Sequence, residues 1–111
     1  MGAFDVLGDP VRRRILELLV EGERPAGEVV SVIGEEFGIG QPAVSMQLKV
    51  LREAGFTRVR ADGARRLYSL DALDVGPMAE IDAWLGQFRA FWEQRLDALD
   101  TEVARGTKAR P

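Results

Sequence analysis

The side chains here that could do chemistry are hydrogen-bond donors and cations. Gln41, Ser45, Gln47, Lys49 and Arg52 lie within the stretch QPAVSMQLKVLREA, and Arg58, Arg60, Arg65 and Arg66 follow shortly after it. Hydroxyl, carboxamide, ammonium and guanidinium groups gathered in one segment can bond to base edges and neutralise phosphates. Covalent chemistry is a poorer fit. The 111 residues include no Cys and no His, which excludes thiolate or imidazole metal sites, disulfides, and Ser/His/Asp or Cys/His catalysis. An enzyme would need carboxylates, Lys or a hydroxyl without a His base. The expectation is therefore a chain that is not an enzyme and carries no cofactor and no metal. The pairs Asp71 with Asp74 and Asp97 with Asp100 would suit only hard cations, and read as helix caps or solvated faces.

These donors need positioning, and the pattern around them says how. Pro42 suits the first turn of a helix and Gly55 closes it. Val44, Leu48 and Leu51 recur on one face, while Ser45, Met46, Lys49 and Glu53 point away, with Gln47 and Arg52 on the flanks. Alone, such a helix is an ordinary solvated amphipathic helix. Its context separates it from that reading. The net charge is −3, but residues 1–40 carry four Arg against eight acids, residues 41–70 six bases against two acids, and residues 71–111 five bases against eight acids. The positive charge is concentrated where phosphates would be met.

Upstream, Phe4 and Leu7 sit on a short lead-in helix. Asp9 and Pro10 form an N-cap and first helical position, and a helix runs to Gly22 with Val11, Ile15, Leu18 and Leu19 inward and Leu16 at the edge. Arg12 to Arg14 read as a solvated face. Glu23 to Pro25 form a connection. A second helix starts near Pro25 or Ala26, carries Val29, Val30 and Ile33, and ends between Gly34 and Gly38, which leaves a long turn pinned by Ile39 with Phe37. After Gly55 the period changes to that of strands: FTRVR, a two-residue turn at Asp62 and Gly63, then RRLYSL. Val59, Tyr68 and Leu70 are the expected inward residues, with Phe56 at the helix-to-strand corner. From Pro77 to about Ala104 one long helix fits, with Met78, Ile81, Leu85, Phe88, Trp92, Leu96, Leu99 and Val103 at helical spacing beside Trp84 and Phe91.

Helix, helix, helix, basic hairpin and a long apolar-striped helix make a mainly α chain with a small β-hairpin. That is the order of a winged helix-turn-helix with a long C-terminal dimerisation helix. Expected boundaries are 1–76 for the DNA-binding domain, 77–104 for the dimerisation helix and 105–111 for a flexible tail. The aromatic stripe can serve as the core of one chain or as an interface between two. The long helix exceeds what so small a domain can cover, so a symmetry mate is expected to share it.

The segments DPVRRRILELL, GQPAVSMQLKVLREAGFTRVRADGARRLYSLD and PMAEIDAWLGQFRAFWEQRLDAL resemble the ArsR family of bacterial transcriptional repressors over nearly the whole chain. The resemblance implies a homodimeric winged-helix protein that binds an operator and blocks transcription, with Ser45, Gln47 and Lys49 in the groove and Arg60, Arg65 and Arg66 on the wing. Three departures stand out. Met46-Gln47 replaces a frequent Gln-His; the turn through Glu35, Glu36 and Phe37 reads as about three residues longer; and the family's Cys- and His-containing metal sites are missing, as in a subgroup without them.

The candidate DNA contacts are Gln41, Ser45, Met46, Gln47, Lys49, Arg52, Arg58, Arg60, Arg65 and Arg66. The candidate dimer contacts are Phe4, Met78, Ile81, Trp84, Leu85, Phe88, Phe91, Trp92, Leu96 and Leu99. Expected partners are a near-palindromic double-stranded operator and a second copy, with an effector of unknown kind and no membrane. The absence of a signal-peptide pattern points to the cytoplasm. The alternative reading is a winged-helix dimer that has become a protein-interaction module.

Overall fold

The computed structural model describes residues 1–71 and 76–109, with side chains as far as residue 104. Helix α1 (Ala3–Leu7) is tied at its start by Asp5, whose carboxylate accepts the Gly2 N–H at 3.1 Å. Helix α2 (Pro10–Val20) begins as its sequence dictates: the Asp9 carboxylate accepts the Val11 and Arg12 N–H groups, and Pro10 needs no such partner. Its buried residues are Ile15, Leu16, Leu18 and Leu19, while Val11 is only half-buried. Leu16 therefore belongs to the core rather than to its edge.

The residues expected to be a plain connection contain a short strand, β1 (Arg24–Pro25), which opens directly into helix α3 (Ala26–Phe37). The lengthened turn is a correction. Glu35, Glu36 and Phe37 are helical, and the chain stops at Gly38, whose left-handed backbone (φ 65°, ψ 36°) suits glycine and caps α3. Three residues, Gly38 to Gly40, then lead into helix α4 (Gln41–Glu53). The residues read as extra turn belong to the helix. Ile39 is half-buried, its N–H bonded to the Gly34 carbonyl, and Phe37 is largely exposed.

Strands β2 (Thr57–Asp62) and β3 (Arg65–Leu70) form the hairpin, and the three strands lie in the order β1-β3-β2, all antiparallel. The tight turn is Gly63–Ala64, one residue later than expected, because Asp62 pairs with Arg65. Positive φ at Gly63 alone matches a turn with glycine at its first central position. The pairing explains the shift: it sets Val59 opposite Tyr68 and Thr57 opposite Leu70, whereas the expected turn would have set Val59 opposite Arg66. Tyr68 is buried, while Val59 and Leu70 are half-buried. Leu67 is also buried, although it faces the opposite side of the sheet from Tyr68. Both faces of the central strand are covered.

The core of the first unit, Met1–Glu80, gathers Val6, Ile15, Leu19, Val29, Ile33, Val44, Leu48, Leu51 and Phe56. Phe56 sits at the corner between α4 and β2 as expected and is 1% exposed. Helix α5 (Pro77–Ala109) has 33 residues, about 50 Å at the usual rise. It continues five residues past the expected end at Ala104, so the tail expected from residue 105 is helical as far as Ala109. Ala104 and Ala109 favour helix, and the single Gly106 costs only about 1 kcal/mol. No helix among the described residues is long and apolar enough to cross a membrane.

Candidate nucleic-acid interface

The amphipathic spacing of α4 has its structural consequence here. Val44, Leu48 and Leu51 are buried, which turns Gln41, Ser45, Met46, Lys49 and Arg52 outward. Lys49 lies only at the outer limit of an ion pair, 3.9 Å from Glu53, and both side chains are well exposed. Arg52 forms no ion pair with a described residue. Met46 is 57% exposed, so it is a surface apolar group and not packing.

Gln47 is different. It is half-buried, and its Oε1 accepts a hydrogen bond from Arg12 Nη1 at 2.9 Å. Arg12 donates in addition from Nε to the Val6 carbonyl at 2.7 Å and from Nη2 to the Asp5 carbonyl at 3.1 Å. The run Arg12 to Arg14 is therefore not the solvated face its sequence suggests. Arg13 donates to the Leu7 carbonyl, and Arg14 grips Glu36 of α3 through two bonds of 2.9 and 3.0 Å. Each of the three ties α2 to another segment. The hydrogen bond to Arg14, with the nearby positive charge, holds the Glu36 carboxyl below its ordinary value and raises Arg14, with desolvation opposing both. Glu36, which sequence alone would place as a loose acid near DNA, is occupied inside the protein.

On the wing, alternation puts Arg58, Arg60 and Asp62 on one face of β2 and Thr57, Val59 and Ala61 on the other. Arg60 makes a two-bond pair with Glu23, at 2.8 Å from Nε and 2.7 Å from Nη2. Glu23 precedes β1 and Arg60 is on β2, so the pair crosses the central strand β3 on the side of Leu67, the cross-strand partner of Arg60. The Arg60 bond lowers the Glu23 carboxyl, and Arg60 is raised in turn. Arg58 lies 3.2 Å from Asp71, and Arg65 lies 3.0 Å from Asp62. Arg66 is exposed and has no ion pair with a described residue. Arg65 and Arg66 also line a cleft with Ala64 and with Pro25, Ala26 and Gly27 at the start of α3.

The basic segment is thus partly neutralised by two acids outside it, Glu23 and Asp71. Sequence reasoning missed both, and missed Arg12. No local signal marks Glu23, which lies 37 positions from Arg60 and meets it only through the sheet.

Among the candidate dimer contacts, Phe4, Trp84, Phe88, Phe91, Trp92, Leu96 and Leu99 are exposed, while Met78, Ile81 and Leu85 are half-buried. Trp84 and Phe88 meet at 4.8 Å, Phe88 and Trp92 stack at 6.1 Å, and the Arg95 guanidinium lies 5.1 Å over Phe91. Among the described residues no three acidic side chains cluster into a cation site. Asp71 is turned to Arg58, and Asp74 lies outside the described residues.

A polar-faced helix after a three-residue turn, followed by an Arg-rich antiparallel hairpin, defines a winged helix-turn-helix module. Comparison with known proteins agrees. The helix-turn-helix domain model matches residues 7–60. An uncharacterised HTH-type transcriptional regulator of Mycobacterium tuberculosis, Rv0081, is 41% identical over 78 residues, covering 70% of this chain and 66% of the relative. The chain thus spans just under two thirds of that relative's full length. Its crystal structure superposes with a TM-score of 0.60 at 38% identity, over 85% of this chain and 89% of that one. The transcriptional repressor SdpR of Bacillus subtilis is 37% identical over 68 residues, covering 61% of this chain and 71% of SdpR. The crystal structure of an ArsR family transcriptional regulator gives a TM-score of 0.65 at 26% identity, over 83% of this chain and 93% of that one. A homodimeric winged helix-turn-helix DNA-binding domain from Mycobacterium bovis shares the fold, with a TM-score of 0.59 at 24% identity over 79% of this chain and 75% of that one. The chain belongs to the ArsR family of transcriptional regulators, and so to regulators rather than enzymes.

Proposed function

We propose that this chain acts in the cytoplasm as a homodimer that binds a near-palindromic operator and represses transcription from it. The observation that carries the reading is the outward face of α4: Gln41, Ser45, Met46, Lys49 and Arg52 are held free of the core beside a wing that carries four arginines. Residues 1–76 would bind DNA and the long helix would pair the copies. Two α4 helices about 34–36 Å apart would then enter successive major grooves, which makes the operator two-fold. The wing arginines would follow the phosphate backbone. Occupancy of an operator that overlaps the promoter would block transcription, and the relative SdpR is a named transcriptional repressor. No metal is needed in this scheme, and the effector, if there is one, is left open.

The test is fluorescence anisotropy with duplex DNA from upstream of the chain's own gene, together with sedimentation. The expected result is a dimer that binds this duplex and whose affinity falls with salt. Lys49→Ala and Arg60→Ala should each weaken binding and reduce the salt slope by roughly one phosphate equivalent. A second reading draws support from the ion pairs that occupy Arg58, Arg60 and Arg65: a winged-helix dimer used for protein contacts. Absence of binding to any duplex at low salt would select it.

A further inference from the structure

Arg12 sits where α1, α2 and α4 converge, and its side chain is only 12% exposed. The carbonyls of Asp5 and Val6 hold it, and the Asp9 carboxylate lies 3.9 Å away. A guanidinium so fixed has one remaining role on the recognition helix, the 2.9 Å bond to Gln47. Guanidinium groups only donate, so the carboxamide atom that faces Arg12 must be the oxygen. The orientation of the amide is therefore set by chemistry. With Oε1 turned to Arg12, the remaining polar atom of Gln47 is Nε2, a donor.

This matters for base reading. A free Gln grips adenine with both amide atoms, its nitrogen donating to N7 and its oxygen accepting from N6. With the oxygen turned to Arg12, one of its two lone pairs is used and its direction is fixed, so the two-atom grip on a single base edge is disfavoured. A lone donor is best met by guanine, whose major-groove edge carries two acceptors, N7 and O6. We propose that Arg12 is a specificity-determining positioning residue that fixes Gln47 as a donor and so directs it to guanine in place of adenine. Arg12 itself touches no DNA in this scheme. The inference rests on the reading that α4 enters the major groove.

Selection of binding sites from a random duplex library by the full-length chain tests it. Comparison with Gln47→Ala identifies the base that Gln47 reads. At that base the wild type should take guanine over adenine by roughly tenfold, the scale of one mismatched pair. Arg12→Met keeps the apolar stem and frees the amide, so the folded variant should admit adenine at that base and leave the other positions unchanged. Gln47→Glu retains an oxygen for Arg12 and replaces the donor by an acceptor, and should turn the preference to cytosine, whose N4 donates. Lost packing alone would weaken all sequences alike and change no single base. The proposal is overturned if the wild type selects adenine there, or if folded Arg12→Met keeps the guanine preference. If Arg12→Met does not fold, unchanged guanine selection by Gln47→Glu overturns it. Selection of no duplex by the wild type would overturn the DNA-binding reading along with it, whereas selection of the wrong base overturns only the role of Arg12.

Discussion

Arg60 and Glu23 present a competition that is decided at a single guanidinium. The two-bond pair is exposed, so its strength in water is modest, and a phosphate can replace the carboxylate with little loss. Glu23→Gln should remove the competing carboxylate and leave Arg60 available before binding, giving tighter binding to the upstream duplex with the salt slope of the wild type, since Arg60 meets the same phosphate in both. Anisotropy titrations over a range of salt measure both; an affinity equal to that of the wild type would place Arg60 outside the footprint. A second residue, Thr57, carries a cost that no described neighbour offsets. The Thr57 hydroxyl is buried and has no hydrogen-bond partner among the described residues. An unmet buried hydroxyl costs about 1–3 kcal/mol, and Val has nearly the same shape. Thr57→Val should raise stability by about 1 kcal/mol in urea denaturation, and a loss of stability would show that the hydroxyl is met in solution. Neither Glu23 nor Thr57 stood out in the sequence. Their significance arises from strand pairing, which is not encoded in neighbouring residues.

The elements themselves were largely legible, because each carries its own local physics. Asp9-Pro10 stated the start of α2, and Val44, Leu48 and Leu51 stated the inward face of α4. Where reading failed, a tertiary partner decided. Residues Glu35 to Phe37 looked like turn because three glycines surround them, yet Arg14 on α2 holds Glu36 and the helix continues to Gly38. Asp62-Gly63 looked like the hairpin turn, yet the match of Val59 with Tyr68 moved it by one residue. The α2–α3 tie has a pH signature. The Glu36 carboxyl is lowered from 4.5 chiefly by its bond to Arg14, so the charged form is favoured in the fold. The stability this adds is fully present above 4.5 and is lost as pH falls through the lower, folded value. Glu36→Gln should therefore be less stable than the wild type at neutral pH, with the difference shrinking well below 4.5. Thermal denaturation across that interval checks it, and a pH-independent difference would mean that the pair contributes nothing through its charge.

At the scale of the whole chain, α5 poses the largest energetic question. Trp84, Phe91, Trp92, Leu96, Leu99 and Val103 are between 47% and 67% exposed along one helix. Each such side chain is worth about 1.5–3 kcal/mol when fully buried, and a run of them left in water marks an association surface. The sequence pattern showed the stripe, and its length beyond one small domain already pointed to a symmetry mate as its cover. Exposure in the single chain favours a second copy. Because a two-fold interface uses the same patch twice, each substitution enters it twice. Trp92 is the sharpest probe. It stacks on Phe88 at the middle of the stripe, and large aromatics near the centre of an interface are the usual energetic anchors. Trp92→Ala should raise the dimer dissociation constant by roughly 30-fold or more, the effect of losing one such anchor. Operator affinity should fall with it at low protein concentration and recover as concentration rises, since a monomer retains only one α4. Sedimentation equilibrium alongside anisotropy separates the two effects. A monomeric wild type, or a Trp92→Ala variant that stays dimeric and loses DNA binding, would place the stripe outside the dimer interface.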